Sequence, residues 1–279
     1  MKIPFKKMSG AGNDFIMVDN RAHILPEPIA AIVPRVCDRN TPWRGADGFI
    51  AIVESPRAQF EMLYYNADGS TGAMCGNGGR CAARFALLGG VVPQAHMIFE
   101  VVGEEYTADV DRERVRLMMP PPRVLDLNRT LTVLGQQVRC HYVNVETPHA
   151  IIFLPDIHIA APQSLLELDI AVWGPAVRLH PDFQPEGANA NFGDINDDGV
   201  VALRTWERGV EGETLACGTG SVATALAAHF VHGIPAPVRI ATASGETLVV
   251  DFRDDGGAIT GLSLAGSAVV EQEGVFDLP

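Results

Sequence analysis

Met74-Cys75-Gly76-Asn77-Gly78 and Ala216-Cys217-Gly218-Thr219-Gly220 each set a thiol directly before Gly-x-Gly, and each runs into an apolar stretch with helical spacing. A cysteine at a helix entrance sits among backbone N–H groups that have no partner inside the helix, at the positive end of the macrodipole. There a thiol pKa can fall from about 8.5 into the range of roughly 3.5–7.5. The same N–H groups can hold a carboxylate, and the glycines keep side chains out of its way. Two such sites gripping one α-carboxylate would put a sulfur on each face of the attached carbon. One thiolate would then remove the α-proton while the opposite thiol delivers another, which is the chemistry of a two-base stereoinversion. Carboxylate contacts that tighten as charge flows onto the group would stabilise the carbanion-like transition state. A free cysteine on its own is more often a small buried hydrophobe. The doubled Gly-flanked frame lifts Cys75 and Cys217 out of that class, whereas Cys37, Cys81 and Cys140 lack the frame and read as packing residues.

The two framed cysteines are 142 residues apart (217 − 75), about half of the 279-residue chain, and the surrounding sequence keeps that offset. Gly45-Ala46-Asp47 matches Gly187-Ala188-Asn189, and Phe60 to Asn66 matches Ala202 to Arg208. The pattern is a diverged tandem duplication, which calls for two similar units. Pro120-Pro121-Pro122 interrupts helix and ladder alike and serves as the linker. The expected division is residues 1–119 with Cys75 and 120–266 with Cys217, the last strands (about 267–279) returning to the first domain.

Those cysteines must be carried by a mixed, strand-rich scaffold. Short alternating or apolar runs at 15–18, 49–53, 60–65, 98–102, 115–118, 138–145, 151–154, 200–206, 238–241, 247–252 and 259–264 predict strands. Helical spacing is clearest at Gly79–Leu88 and Gly220–Val231, with further helices near Pro28–Arg35 and Ile170–Leu179. The fold class is therefore α/β of the α+β type: two pseudo-symmetric domains, each a barrel-like unit of strands around one central helix, with the active site expected in the interdomain cleft.

Composition narrows the function classes. With 47% hydrophobic and 20% charged residues the chain can bury two cores and shows no disordered tract. A net charge of −13 opposes nucleic acid, and no run reaches the ~18 apolar residues of a membrane span. Five cysteines without C-x-x-C spacing suggest free thiols and a cytoplasmic setting rather than a disulfide framework or zinc site. The stretch Asp194–Gly199 imitates half a calcium loop, but Thr205 stands where the bidentate Glu is required, so it reads as a hairpin turn. His229 and His232 have helical spacing for a metal pair and no framed third ligand. Gly10-Ala11-Gly12 lacks the third glycine and the preceding strand of a dinucleotide fingerprint.

At the level of whole motifs, the chain resembles diaminopimelate epimerase. The resemblance lies in Lys7-Met8-Ser9-Gly10-Ala11-Gly12-Asn13-Asp14-Phe15, Asn66-Ala67-Asp68-Gly69-Ser70, Met74 to Cys81, Pro148-His149, Pro185 to Asn189, Glu207-Arg208-Gly209 and Glu213 to Gly220. It implies a cofactor-independent isomerase of lysine and peptidoglycan-precursor synthesis that converts LL- to meso-2,6-diaminopimelate without pyridoxal phosphate or metal, as a homodimer. It also implies Cys75 and Cys217 as the two bases and Gly76, Asn77, Gly78, Gly218 and Thr219 as the cradle of the reacting carboxylate. Asn13, Asn66, Asn189, Glu207 and Arg208 would hold the distal amino-acid head, and His149 and Glu207 would support the reacting amino group. Three positions depart from the family's habit. Glu146-Thr147 precedes Pro148 in place of Gly-Asn or Gly-Thr, Gly48 stands where some members have Gln, and Gln272 stands where members often carry an aromatic residue at a dimer contact. From the residues alone, three rivals stay open: a racemase of another amino acid, a cysteine hydrolase or acyltransferase with His149 as base, and a non-catalytic amino-acid-binding module.

If both thiols serve one carbon, mild oxidation is expected to abolish activity through a Cys75–Cys217 disulfide that reductant reverses. Mass spectrometry identifies the linkage, and full activity of the cross-linked protein would refute the pairing.

Overall fold

The computed structural model describes residues 1–72, 74–158 and 162–278 and divides into two compact units, Met1–Met118 with Ala265–Pro279, and Met119–Leu264. The first unit begins with strands β1 (Lys2–Gly10) and β2 (Asn13–Asp19), a single helical turn α1 (Val33–Val36), and strands β3 (Gly48–Val53) and β4 (Glu61–Asn66). Helix α2 (Gly76–Leu88) comes next, then β5 (His96–Val101), β6 (Glu104–Asp111) and β7 (Arg114–Met118). The second unit runs β8 (Val124–Val133), β9 (Gln136–Val145), β10 (Thr147–Phe153), α3 (Ile170–Arg178), β11 (Asn189–Ile195), β12 (Val200–Glu207), β13 (Gly212–Thr214), α4 (Gly218–His232), β14 (Val238–Thr242), β15 (Thr247–Asp254) and β16 (Ile259–Ser267), which passes into the first unit at Ala265. The last strand, β17 (Val269–Asp277), pairs antiparallel with β1.

The duplication is visible in the pairings. In the first unit β17–β1 and β1–β2 are antiparallel, β2–β3 parallel, β3–β4 antiparallel, β4–β5 parallel and β5–β6 antiparallel. The second unit repeats that order as β8–β9, β9–β10, β10–β11, β11–β12, β12–β14 and β14–β15. Chain order differs at one place, since the outer strand of the first unit comes from the far end of the chain and that of the second is its own first strand.

Each unit wraps its long helix. In α2 all residues from Gly76 to Ala83 are buried, and in α4 burial is continuous from Gly220 to Ala228. A helix covered on nearly every side needs small side chains where strands come close, which Gly, Ala, Ser and Thr supply. At Gly193 on β11 the approach is so close that a Cβ would lie 3.1 Å from the Phe153 ring and 3.5 Å from Thr224 on α4. On the far side of the sheets lie two further cores: Ile3, Phe5, Ile16, Val18, Phe49 and Phe276 with α1, and Leu131, Val138, Ile152, Phe192, Trp173 and Val177 with α3.

Against the sequence expectations, all eleven predicted runs fall on strands, with ends shifted by a few residues. Six strands were not foreseen: β1, β6, β8, β11, β13 and β17. The pairing partners explain β11, whose Asn-Ala-Asn-Phe-Gly has poor strand propensity and is held between β10 and β12. The two long helices begin at Gly76 and Gly218, earlier than Gly79 and Gly220, because the Gly-x-Gly segment itself forms the first turn. Glycine and Asn or Thr are weak helix formers, so capping and burial, not propensity, set those starts. Pro28–Arg35 is not one helix but a 3-10 turn, Ile29–Ala31, followed by α1. A strand, β1, does precede Gly10-Ala11-Gly12, contrary to expectation; it turns there into a hairpin with β2 and not into a helix. Among the described residues no helix is long and apolar enough to cross a membrane.

Gly45 turns the chain ahead of β3 with φ of +49°, and a Cβ there would lie 2.1 Å from the Cys37 carbonyl oxygen. Gly45→Ala is expected to destabilise the protein by roughly 2 kcal/mol or more, combining a disfavoured φ with overpacking against backbone. An unchanged urea midpoint would sink this reading.

Candidate active site

Cys75 and Cys217 are the N-caps of α2 and α4, with φ/ψ of −106°/113° and −111°/115°. The backbone therefore enters both helices in the same way, while the sulfurs differ in their contacts. The Gly78 N–H donates to Cys75 Sγ at 3.5 Å, and the Thr219 hydroxyl lies 3.6 Å from Cys217 Sγ. Gly78 and Gly220 are needed for packing: a Cβ on Gly78 would lie 3.1 Å from Ile50, and one on Gly220 would lie 2.6 Å from Asn191 Oδ1 and 3.3 Å from Cys217 Sγ. The other three cysteines are buried, and none of the five is disulfide-bonded. Burial pushes the Cys37 and Cys140 thiols up to about 12, which makes them inert as nucleophiles.

In the first unit a polar chain leads away from α2. Arg80, fully buried, donates to Asn77 Oδ1 at 2.8 Å, and Asn77 Nδ2 donates to Asn13 Oδ1 at 2.7 Å. Asn13 Nδ2 then donates to Asp47 at 3.2 Å, and Arg39 bridges Asp47 and Asp14. Burial pulls the Asp14 carboxyl up, but hydrogen bonds from Arg39 and Lys7 outweigh it and hold the group below its ordinary range. Asn66 ends β4 opposite Gly48; its Oδ1 accepts from the Tyr64 hydroxyl at 2.9 Å and its Nδ2 donates to Ser70 Oγ at 2.9 Å.

In the second unit register does the assembling. Parallel pairing sets His149 on β10 against Asn189 on β11, and antiparallel pairing sets Asn191 against Thr205 on β12. Because side chains two apart share a sheet face, Thr147 joins His149, Asn189 joins Asn191, and Glu207 joins Thr205. His149 is fully buried, with Nε2 3.0 Å from both Thr147 Oγ1 and Thr219 Oγ1 and Nδ1 3.1 Å from Asn191 Nδ2. Burial, with the Arg208 charge adding to it, pushes the His149 imidazole down to about 3. Burial raises the Glu207 carboxyl, and the Thr214 hydroxyl opposes part of that rise. Asn189 Oδ1 accepts from the Arg208 backbone N–H at 2.8 Å while its Nδ2 donates to the Pro148 carbonyl at 3.2 Å. The Arg208 guanidinium donates to the Glu186 carbonyl at 3.4 Å.

The sequence pattern of the family described as Diaminopimelate epimerase matches residues 5–125 and 141–270 of the chain. A diaminopimelate epimerase of Chlorobaculum tepidum is 42% identical over 253 residues, which cover 88% of this chain and 92% of the relative. One from Aquifex aeolicus is 36% identical over 263 residues, covering 90% of each chain. The chain belongs to the diaminopimelate epimerase family. Among solved structures, a PhzF-family phenazine biosynthesis protein of Bacillus anthracis superposes with a TM-score of 0.73 at 13% identity over all of both chains. A probable proline racemase of Agrobacterium radiobacter superposes with a TM-score of 0.67 at 16% identity, covering 99% of this chain and 93% of the other. These likenesses establish the two-domain, strand-rich fold of the epimerases and racemases.

Set beside the family's habits, two of the departures have a local structural account. A Cβ at Gly48 would lie 2.7 Å from the Tyr64 ring, so Tyr64 occupies the space of a longer side chain there and its hydroxyl holds Asn66. Thr147 puts its hydroxyl on His149 Nε2. Gln272 is exposed on β17 opposite Lys7. Sequence reasoning missed Asn191 and Tyr64, and noticed Thr205 only for what it fails to be as a calcium ligand. An alternation reading of β11 would have placed Asn189 and Asn191 on one face, but the segment's composition hid the strand.

His149 and His141 are both pushed down by burial, from an ordinary value of 6.5 to about 3 and about 4. Between those limits the unfolded chain binds protons that the folded chain does not, so stability falls as pH drops below about 6.5 and stops falling near the folded values. Each residue contributes a slope of up to ~1.4 kcal/mol per pH unit. His149→Gln should flatten the urea-derived stability profile between pH 6 and 4, and an unaltered slope would contradict a buried neutral imidazole.

Proposed function

We propose that the chain interconverts LL- and meso-2,6-diaminopimelate, with Cys75 and Cys217 as the two bases. The observation that carries this reading is the pair of cysteine N-caps with nearly the same backbone conformation, each followed by glycines that clear the helix entrance. In one direction a thiolate takes the α-proton of the bound amino acid and the other cysteine, as thiol, returns a proton to the opposite face of the carbon; the reverse reaction exchanges the roles. The N–H groups of Gly76, Asn77, Gly78, Gly218 and Thr219 hold the reacting carboxylate, an interaction that strengthens as the carbon gives up its proton. Glu207 supports the reacting amino group directly, and His149 supports it through the Thr147 and Thr219 hydroxyls on its Nε2. Asn13, Asn66, Asn189, Glu207 and Arg208 hold the distal head, where the guanidinium fork suits a carboxylate.

The membership in the family and the retained Asn189, Glu207 and Arg208 favour a substrate with a second charged end. The reading includes a cytosolic homodimer acting in lysine and peptidoglycan-precursor synthesis, in line with the family resemblance; sedimentation analysis reads the oligomeric state.

Proton NMR of LL-diaminopimelate in D2O with the reduced protein tests the assignment. The α-proton signal should disappear as the meso isomer forms, and Cys75→Ser and Cys217→Ser should each slow this by about 10²–10⁴-fold, the usual worth of a positioned acid or base. Failure of the folded wild-type protein to exchange the proton would refute the activity, and full exchange by either variant would refute the two-base assignment.

A further inference from the structure

Asn191 is fully buried on β11, and neither substrate binding nor proton transfer as assigned to the site uses it. Its amide has only one possible orientation. Nδ2 lies 3.1 Å from the Asn189 carbonyl oxygen and 3.3 Å from the Ala150 carbonyl oxygen, groups that only accept. Oδ1 on the other side accepts from the Thr205 hydroxyl at 3.0 Å. The corner facing His149 Nδ1 at 3.1 Å is therefore an NH2 group, which can only donate. Nδ1 must be the lone-pair nitrogen, and in a neutral imidazole the single N–H then sits on Nε2.

That N–H points into a pair of hydroxyls. Thr147 Oγ1 and Thr219 Oγ1 are each 3.0 Å from Nε2 and 3.3 Å from one another. A threonine hydroxyl that accepts from Nε2 has its own hydrogen left to donate. For Thr219 the sulfur of Cys217 is 3.6 Å away, within reach of an O–H···S contact that favours thiolate over thiol.

We propose that Asn191 is a positioning residue for the reaction: it fixes His149 as the Nε2–H tautomer and so turns the Thr219 hydroxyl hydrogen toward Cys217. The proposal rests on the reading of Cys217 as a base. It also makes His149 a fixed donor rather than a proton acceptor, which removes it as the base of a cysteine hydrolase. Thr205 takes part by occupying Oδ1, and Gly220 by leaving room for it.

The test is nitrogen-15 NMR of the histidine rings in the reduced full-length protein at neutral pH, with His149 assigned by the signals missing from His149→Gln. Wild type should show a protonated Nε2 and an unprotonated Nδ1; the opposite tautomer would overturn the proposal. In Asn191→Asp the carboxylate can only accept, so the tautomer should reverse. The rate of Cys217 alkylation by iodoacetamide should then fall several-fold while that of Cys75 stays within a factor of two. The kcat for epimerisation should fall at least tenfold with KM little changed. Asn191→Leu, which removes the donor without adding charge, should lower Cys217 alkylation in the same sense and serves if the Asp variant misfolds. Unchanged Cys217 alkylation in folded variants would overturn the proposal. Loss of the epimerase assignment through active cysteine variants would leave the tautomer result standing, so the two failures are distinguishable.

Discussion

The arrangement depends on burying a helix N-terminus. The first N–H groups of a helix have no partner within it, and an enclosed entrance must supply acceptors for them or lose free energy. Here the first turns of α2 and α4 are made of small residues wrapped by strands, and a cysteine caps each. Such a site stabilises negative charge, whether on sulfur or on a bound carboxylate. The small-residue helix, the close-packed strands and the anion-seeking entrance all arise from one constraint.

The two entrances share a backbone and differ in their surroundings. Near α2 the polar network is charged: Arg39 and Lys7 keep Asp14 ionised, and a buried arginine anchors Asn77. Beside α4 the network is largely uncharged, since burial holds His149 neutral and works against the charge on Glu207. The Cys75 sulfur accepts from a backbone N–H, and the Cys217 sulfur lies beside a hydroxyl. A duplicated scaffold thus carries two chemically distinct thiol environments.

Register is what converts scattered residues into a site. In the second unit, Thr147, His149, Asn189, Asn191, Thr205 and Glu207 come from three strands and more than fifty positions of chain, yet pairing places them in one row. A one-residue slip of β11 would turn Asn189 and Asn191 to the opposite face. The large apolar residues behind that face, including Phe192 and Trp173, are fully or nearly buried and fix the register. Stability of the far core and geometry of the site are therefore the same property.

The sequence by itself determined the duplication, the family, the α+β class and the cysteine pair, because these are carried by local spacing: Cys-Gly-x-Gly before an apolar run, strands whose alternation is strong, and whole motifs kept in order. Through its motifs it also implied which residues would hold a distal amino-acid head. Only tertiary structure decided the first turns of the helices, where capping and burial override the poor propensity of Gly-Asn-Gly and Gly-Thr-Gly. Tertiary structure also decided the strand at Asn189–Ile195, which exists through its two neighbours rather than its composition. The tautomer of His149, and with it the part assigned to Asn191, comes from carbonyls and hydroxyls that long-range pairing brings within hydrogen-bond distance, and no local pattern encodes that.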